Sequence, residues 1–272
     1  MNSSKYVIKA DGSKVPFDKN KVMQTCLRAG ASNQLANKIA ESVEYEVPDG
    51  STTAQVYRLV LNRLGKAEGG FGLKHRYKLK QAIMQMGPAG FPFESYISQI
   101  LAHYGYEVEA TRVDMRGRCG RHEVDVAAKK NNKRYMVECK YHHRRGLHTS
   151  MKDSLYTHAR FLDLKDHFDF EILACNTRLS EDAFEYASCI GQQMMCWKHP
   201  PQGGLEKMIE DKGLYPITTL NLNKFELMSF SQARFMIAKD LLTADLKSLS
   251  KQTGISEKRL ENLHRMVKLI LR

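Results

Sequence analysis

The sequence lacks the features that would place it in or beyond a membrane. No apolar run approaches the eighteen or so residues of a membrane span, and the opening MNSSKYVIKADG carries no apolar signal core. A soluble, cytoplasmic protein is expected. Six cysteines, at 26, 119, 139, 175, 189 and 196, form no C-x-x-C pair and have no histidines at zinc-ligand spacing. A disulfide framework or a structural zinc site is therefore not expected. No G-x-x-x-x-G-K-[ST] loop is present, so nucleotide hydrolysis on such a loop is not expected either. Acidic residues are in deficit, 30 Asp and Glu against 42 Lys and Arg, which leaves a formal charge of +12. A chain this basic favours a polyanionic partner, nucleic acid first among them.

The charge is unevenly spread. Residues 1–86 carry 14 basic and 7 acidic side chains, 87–200 carry 16 and 15, and 201–272 carry 12 and 8. Within the nearly neutral middle, Arg112 to Arg145 hold 11 basic residues against 4 acidic. KYVIKA, Asp11-Gly12 and SKVPF read as a hairpin over 5–17. Helical patterns follow at about 18–30, 32–46 and 52–65, with Ser51 or Thr52 as an N-cap, and a basic helical stretch runs to Met86. Gly87-Pro88-Ala89-Gly90 marks a boundary. Beyond it come a helix at 92–104, strands at about 106–112, 121–128 and 134–140, a His- and Arg-rich loop, and a helix at 151–165. A strand at 170–176, a helix opening at Ser180 and a short strand at 194–197 complete a mixed sheet flanked by helices. From about 203 the pattern is helical.

The segment RHEVDVAAKKNNKRYMVECKY (121–141) concentrates the chemistry. Asn131-Asn132 suits a two-residue hairpin turn, because Asn tolerates positive φ. Opposed residues then have numbers summing to 263, so Asp125 faces Glu138 and Glu123 faces Lys140. Alternation puts these four polar groups on one face and Val124, Val126, Val137 and Cys139 on the other. A slip of one residue would put polar groups on the apolar face. Two carboxylates about 4 Å apart repel by roughly 4 kcal/mol at an effective dielectric near 20. A divalent metal held by Asp125 and Glu138 would offset that repulsion. Lys140 would position or activate a water, or stabilise charge on a phosphate. Plain cross-strand ion pairing, Glu123 with Lys140 for example, is the simpler alternative. Upstream, Glu94 falls on the apolar stripe of Ile97, Ile100, Leu101 and Tyr104. It serves either as a first-turn partner of the helix dipole or as a fourth member of the site.

These residues, in this order, resemble the PD-(D/E)xK nuclease superfamily, in particular its Mrr-like restriction endonuclease branch, over roughly 88–198. The resemblance implies Asp125 and Glu138 as Mg²⁺ ligands, Lys140 as catalytic and Glu94 as an accessory acid. Many such proteins carry a glutamine in the helix after the E-x-K strand, and none is placed here. His142, His143 and His148 either line the site or belong to a solvated, phosphate-contacting loop.

Residues 5–90 resemble an ATP-cone, on VIKADGSKVPFDKNKV and PDGSTTAQVY. That resemblance implies ATP or dATP as a regulatory ligand near Val7, Lys9, Asp18, Lys21, Thr53 and Tyr57, with both lysines toward phosphate. Ala10 departs from the arginine common there. The C-terminal LLTADLKSLSKQTGISEKRLENLHRMVKLIL reads as short helices about Thr253-Gly254-Ile255-Ser256, either a DNA-binding helical hairpin or a cap on the core.

The expected fold is α/β, in three parts. Residues 1–87 form an N-terminal α+β ATP-cone-like domain of hairpin plus helices. Residues 88–200 form a restriction-endonuclease-like mixed sheet flanked by helices. Residues 201–272 form a helical C-terminal region. The expected function is Mg²⁺-dependent endonucleolytic hydrolysis of DNA under nucleotide control, with DNA as partner and a homo-oligomer left open. The alternative is a non-catalytic, nucleotide-controlled DNA-binding regulator.

Overall fold

In the computed structural model, residues 5–87, 90–144 and 146–271 are described. Pro88 and Ala89 of the expected boundary, and Arg145 of the basic segment, lie outside them. The described residues form a mixed α/β protein with two sheets and twelve α-helices. The chain divides into two compact units, Met1–Gln81 with Glu261–Arg272, and Ala82–Leu260. The end of the last helix is grouped with the first unit. No helix among the described residues is long and apolar enough to cross a membrane.

In the first unit, β1 (Tyr6–Ile8) pairs antiparallel with β2 (Lys14–Pro16). Their connection is longer than the two-residue Asp-Gly turn expected. It spans 9–13, closed by Lys9 N–H donating to Ser13 O at 2.9 Å. Asp11 Oδ1 accepts from the Ser13 amide at 2.8 Å, an Asx-type turn that competes with the tighter hairpin. Helices α1 (Lys19–Arg28) and α2 (Asn33–Glu46) are capped by Asp18 and Ser32. Strand β3 (Ser51–Thr52) joins β1 in parallel, and its Thr52 forms a capping box with Gln55 at the start of α3 (Thr53–Gly65). Each such cap contributes about 1 kcal/mol. Helix α4 (Gly70–Tyr77) follows, and α5 (Leu79–Met84) leads out of the unit. The core is Cys26, Ala36, Ile39, Val43, Val60 and Leu64.

The second unit is built on a five-stranded sheet of order β4-β5-β6-β7-β8. Helix α6 (Phe91–His103) precedes β4 (Glu107–Arg116), β5 (Arg121–Lys130) and β6 (Lys133–Lys140), which are antiparallel neighbours. Helix α7 (Met151–Asp163), β7 (Phe170–Cys175), α8 (Glu181–Ile190) and β8 (Gln193–Cys196) supply parallel crossovers. Ser180 caps α8 as its acidic first turn suggests. Phe93, Tyr96, Ile97, Ile100 and Leu101 of α6 are buried, and each such side chain is worth about 1.5–3 kcal/mol. The helical remainder comprises α9 (Leu205–Lys212), α10 (Lys224–Gln232), α11 (Leu246–Thr253), ended by Gly254 at φ 70°, and the start of α12 (Glu257–Leu271), whose residues from Glu261 belong to the first unit.

Candidate functional site

The β5–β6 turn is centred on Asn131 and Asn132, both at positive φ (52° and 57°), and the paired residues from Lys130↔Lys133 to Val126↔Val137 all sum to 263. One step further along that register are Asp125 and Glu138. Here the backbone ladder stops, and the Asp125 carboxylate accepts the Cys139 amide at 2.7 Å in its place. On the other side, β4 and β5 pair at Thr111↔Val126 and Val113↔Val124 but skip Arg112 and Asp125. Arg112 has φ 52°, a conformation that costs energy for a non-glycine residue in mid-strand. Asp125 is thus the one residue between its paired neighbours on β5 that neither ladder holds.

Both faces of the sheet are covered at this point. Val124, Val126 and Val137 are buried as alternation requires, but so are Ala127, Met136 and Glu138, the last only 3% exposed. The acids are therefore more desolvated than a one-sided sheet would leave them. Glu138 is held by two cations, Lys140 Nζ at 2.9 Å from Oε1 and Arg160 Nη1 at 2.5 Å from Oε2. Arg160 also donates to Glu123 O at 2.7 Å and to Tyr156 Oη at 2.7 Å. The Tyr156 ring lies under both cations, 5.3 Å from Lys140 Nζ and 4.7 Å from Arg160 Cζ. Glu94, in the first turn of α6, has Oε2 buried without a hydrogen bond, and the Arg112 Nε nearby is 3.7 Å away. Arg112 also reaches Glu123, at 3.3 Å. The Glu123–Lys140 ion pair of the simpler reading is replaced by Glu123–Arg112 and Glu138–Lys140.

These contacts set the titration of the site. Burial, and then the neighbouring Glu138, push the Asp125 carboxyl up to about 7, against the Cys139 amide, which favours its charge. Burial also raises Glu94, and Arg112 partly opposes the rise. Burial disfavours the Lys140 ammonium, but attraction and hydrogen bonding from Glu138 outweigh it and hold the group above its usual range.

Arg160, Tyr156 and Arg112 were not singled out from sequence. Tyr156 and Arg160 are spaced i, i+4 on α7, on one face with Asp153, and that polar stripe was the available signal. His142 is tied to Asn176 by its backbone and to Thr149 by Nε2 at 3.2 Å, while His143 and His148 are exposed.

In the first unit, Val7 is buried opposite Ser51, and β1–β3 pairing brings Thr53, at the start of α3, beside that strand. Tyr57 stacks on Tyr77 at 5.3 Å and donates to Gln81 Oε1 at 3.1 Å. Asp18 is used as the α1 cap and pairs with Lys21 at 3.4 Å. Lys9 lies in the turn after β1 and has no ion pair among the described residues. A separate cleft of about 780 Å³, lined by Gly30, Ser32, Gly70, Phe71, Arg76 and Leu269, includes none of these six residues.

Fold and site together define a mixed α/β protein with a buried carboxylate–lysine cluster in one unit and a small α+β module in the other. Residues 5–83 match the ATP cone domain family, and residues 215–271 match the family described as AF1548-like, C-terminal. An uncharacterized protein of Archaeoglobus fulgidus is 37% identical over 164 residues, 60% of this chain and 92% of that protein. A second uncharacterized protein of the same organism is 47% identical over 38 residues, 14% of this chain and 81% of the relative. The crystal structure of the protein of unknown function AF1548 aligns with a TM-score of 0.61 at 33% identity, over 67% of this chain and 98% of that one. A structure of Can2 from Sulfobacillus thermosulfidooxidans with cyclic tetra-adenylate aligns at TM-score 0.32 and 15% identity, over 71% of this chain and 54% of that one, a level that assigns neither fold nor function. The chain belongs to the AF1548-like family. Its ATP-cone supports binding of a regulatory nucleotide, ATP or dATP. The names of its relatives state no activity.

Proposed function

We propose that the second unit is a metal-dependent nuclease of the restriction-endonuclease-like, Mrr-like PD-(D/E)xK kind, hydrolysing DNA phosphodiester bonds, with the ATP-cone adjusting its activity. The observation that carries this reading is Asp125. It is a partly buried carboxyl, released from both backbone ladders, beside Glu138 and Lys140, and raised to about 7 by burial and by Glu138. A structural role would pair such an acid. Here Lys140 and Arg160 both sit on Glu138, Asp125 has no ion pair among the described residues, and Glu94 Oε2 lacks a hydrogen bond.

The residues fit a hard divalent cation such as Mg²⁺. Among the described residues no three or more His, Cys, Asp or Glu are grouped to hold a metal. Two carboxylates, Asp125 and Glu138, would hold it, an open donor set that suits an ion keeping waters and phosphate oxygens. When bound, the cation would offset the opposed carboxylates and polarise a phosphate oxygen. Lys140, charged and braced over Tyr156, would orient the attacking water or stabilise charge on the phosphate. Arg160 fixes Glu138 and is in reach of the same charge. Glu94 supplies an acceptor at the edge of the cluster. The test is cleavage of plasmid, linear and single-stranded DNA and of RNA with Mg²⁺. Loss of cleavage in Asp125→Ala and Lys140→Ala is expected, and undiminished cleavage in either would sink the assignment.

One observation favours a second reading, a non-catalytic, nucleotide-controlled DNA-binding regulator. Lys140 and Arg160 already neutralise Glu138 from within the chain. A metal-independent DNA shift with no cleavage of any of these substrates would select it.

A further inference from the structure

The β4–β5 hairpin ends in Arg116-Gly117-Arg118-Cys119-Gly120-Arg121, and its three arginines are exposed. Arg116 and Arg121 are directly opposed in the ladder, a like-charge placement that works against pairing. None of the three makes an ion pair among the described residues. Two pairs further in, Asp114 opposes Glu123, and Glu123 is taken by Arg112.

The tip is nevertheless held rigidly. Asp163, at the end of α7, accepts from the Cys119 amide at 2.7 Å and the Gly120 amide at 3.0 Å, and binds His122 Nε2 at 2.6 Å. Its own carbonyl accepts the Arg118 amide at 3.0 Å, and His167 Nε2 lies 3.1 Å from Arg116 O. Gly117 is packed so closely that a Cβ would lie 2.3 Å from Asp163 Oδ2. A turn fixed this firmly, presenting three arginines without acidic partners, is built to meet an external polyanion.

Its place relative to the acids names the partner. Cross-strand pairing and alternation put residues 112, 114, 116, 121, 123 and 125 on one face, so Arg116 and Arg121 share the face of Asp125. Arg121 is four residues from Asp125, about 13 Å along the strand. That equals about four steps of 3.4 Å along one strand of duplex DNA. We propose that this hairpin tip is a backbone-docking finger that grips duplex DNA about four nucleotides from the phosphate held at Asp125 and Glu138. The inference rests on the nucleic-acid reading of that site.

The test is binding of fluorescent duplex DNA by the full chain in EDTA, followed by anisotropy from 50 to 300 mM salt, so that no cleavage intervenes. Each phosphate contact contributes about 0.9 to the slope of log affinity against log salt. The triple variant Arg116→Gln, Arg118→Gln, Arg121→Gln should lose about 2 to 3 of that slope and bind more than about 10-fold more weakly at the lowest salt. The same three positions changed to lysine should keep the slope. Lys38→Gln, Lys66→Gln and Lys251→Gln together remove equal charge elsewhere and should behave as wild type. A triple Gln variant with wild-type affinity and slope overturns the proposal, as does wild-type binding of RNA with none of duplex DNA. If the finger variant loses binding while wild type fails to cleave with Mg²⁺, the docking surface stands and the nuclease reading falls.

Discussion

Asp125→Asn should stabilise the protein at pH 8. In the folded chain the carboxyl titrates at about 7, against 3.8 for the free group. The folded state therefore holds this proton more tightly than the unfolded state does. Stability falls as pH rises from about 4 through 7, and the cost is fully present above 7. A shift of about three units at 1.36 kcal/mol each gives a ceiling of about 4 kcal/mol, and partial solvent access reduces the measurable share to about 1–3 kcal/mol. Asparagine keeps an oxygen for the Cys139 amide and offers its NH₂ to the neighbouring carboxylates. Urea titrations of wild type and variant, without added metal, should show the variant ahead by that amount at pH 8 and the two nearly equal at pH 4. A variant equal to or less stable than wild type at pH 8 would refute the burial argument. Mg²⁺ should then stabilise wild type more than the variant, since only a ligand preferring the folded state does so.

Three further predictions follow from named contacts. Arg160→Met leaves the nearly inaccessible Glu138 with Lys140 alone and should cost about 3 kcal/mol in urea unfolding, because breaking a buried pair strands its partner. Asp163, whose carboxyl is held far below its usual range by His122 and then by the Cys119 amide, contributes stability that is present at neutral pH and lost as pH falls through the acid range. Asp163→Asn should therefore be destabilised at pH 7, begin to close on wild type only below about pH 4 while keeping most of the deficit at pH 3, and show faster hydrogen exchange at the Cys119 and Gly120 amides. ATP or dATP should raise the melting temperature of wild type, and less so of Lys9→Ala, with no ADP formed.

The legible part of the site was local. Asn131 and Asn132 accept positive φ, and that alone set the register through which Asp125 and Glu138 become neighbours. The helix starts at Ser32, Thr52 and Ser180 were readable for the same reason, since a cap is a short-range bond. Arg160 and Tyr156 were not, because they reach the acids through packing of α7 on β6, with Arg160 22 residues downstream of Glu138 in the chain. The strained Arg112 was also hidden, since no local signal in β4 marks a left-handed residue. The Asp11-Gly12 signal was read as too tight a turn because the Asp11 side chain bonds its own loop.

The central claim is that Asp125, Glu138 and Lys140 act together on a phosphodiester. Single-turnover cleavage of supercoiled plasmid in Mg²⁺ tests it most directly, comparing wild type with Lys140→Ala and Asp125→Asn. Loss of rate by at least about 100-fold in both, with DNA binding in EDTA retained, is the predicted result. Cleavage by both variants at the wild-type rate, or no cleavage by wild type on any DNA substrate with or without ATP, would contradict it.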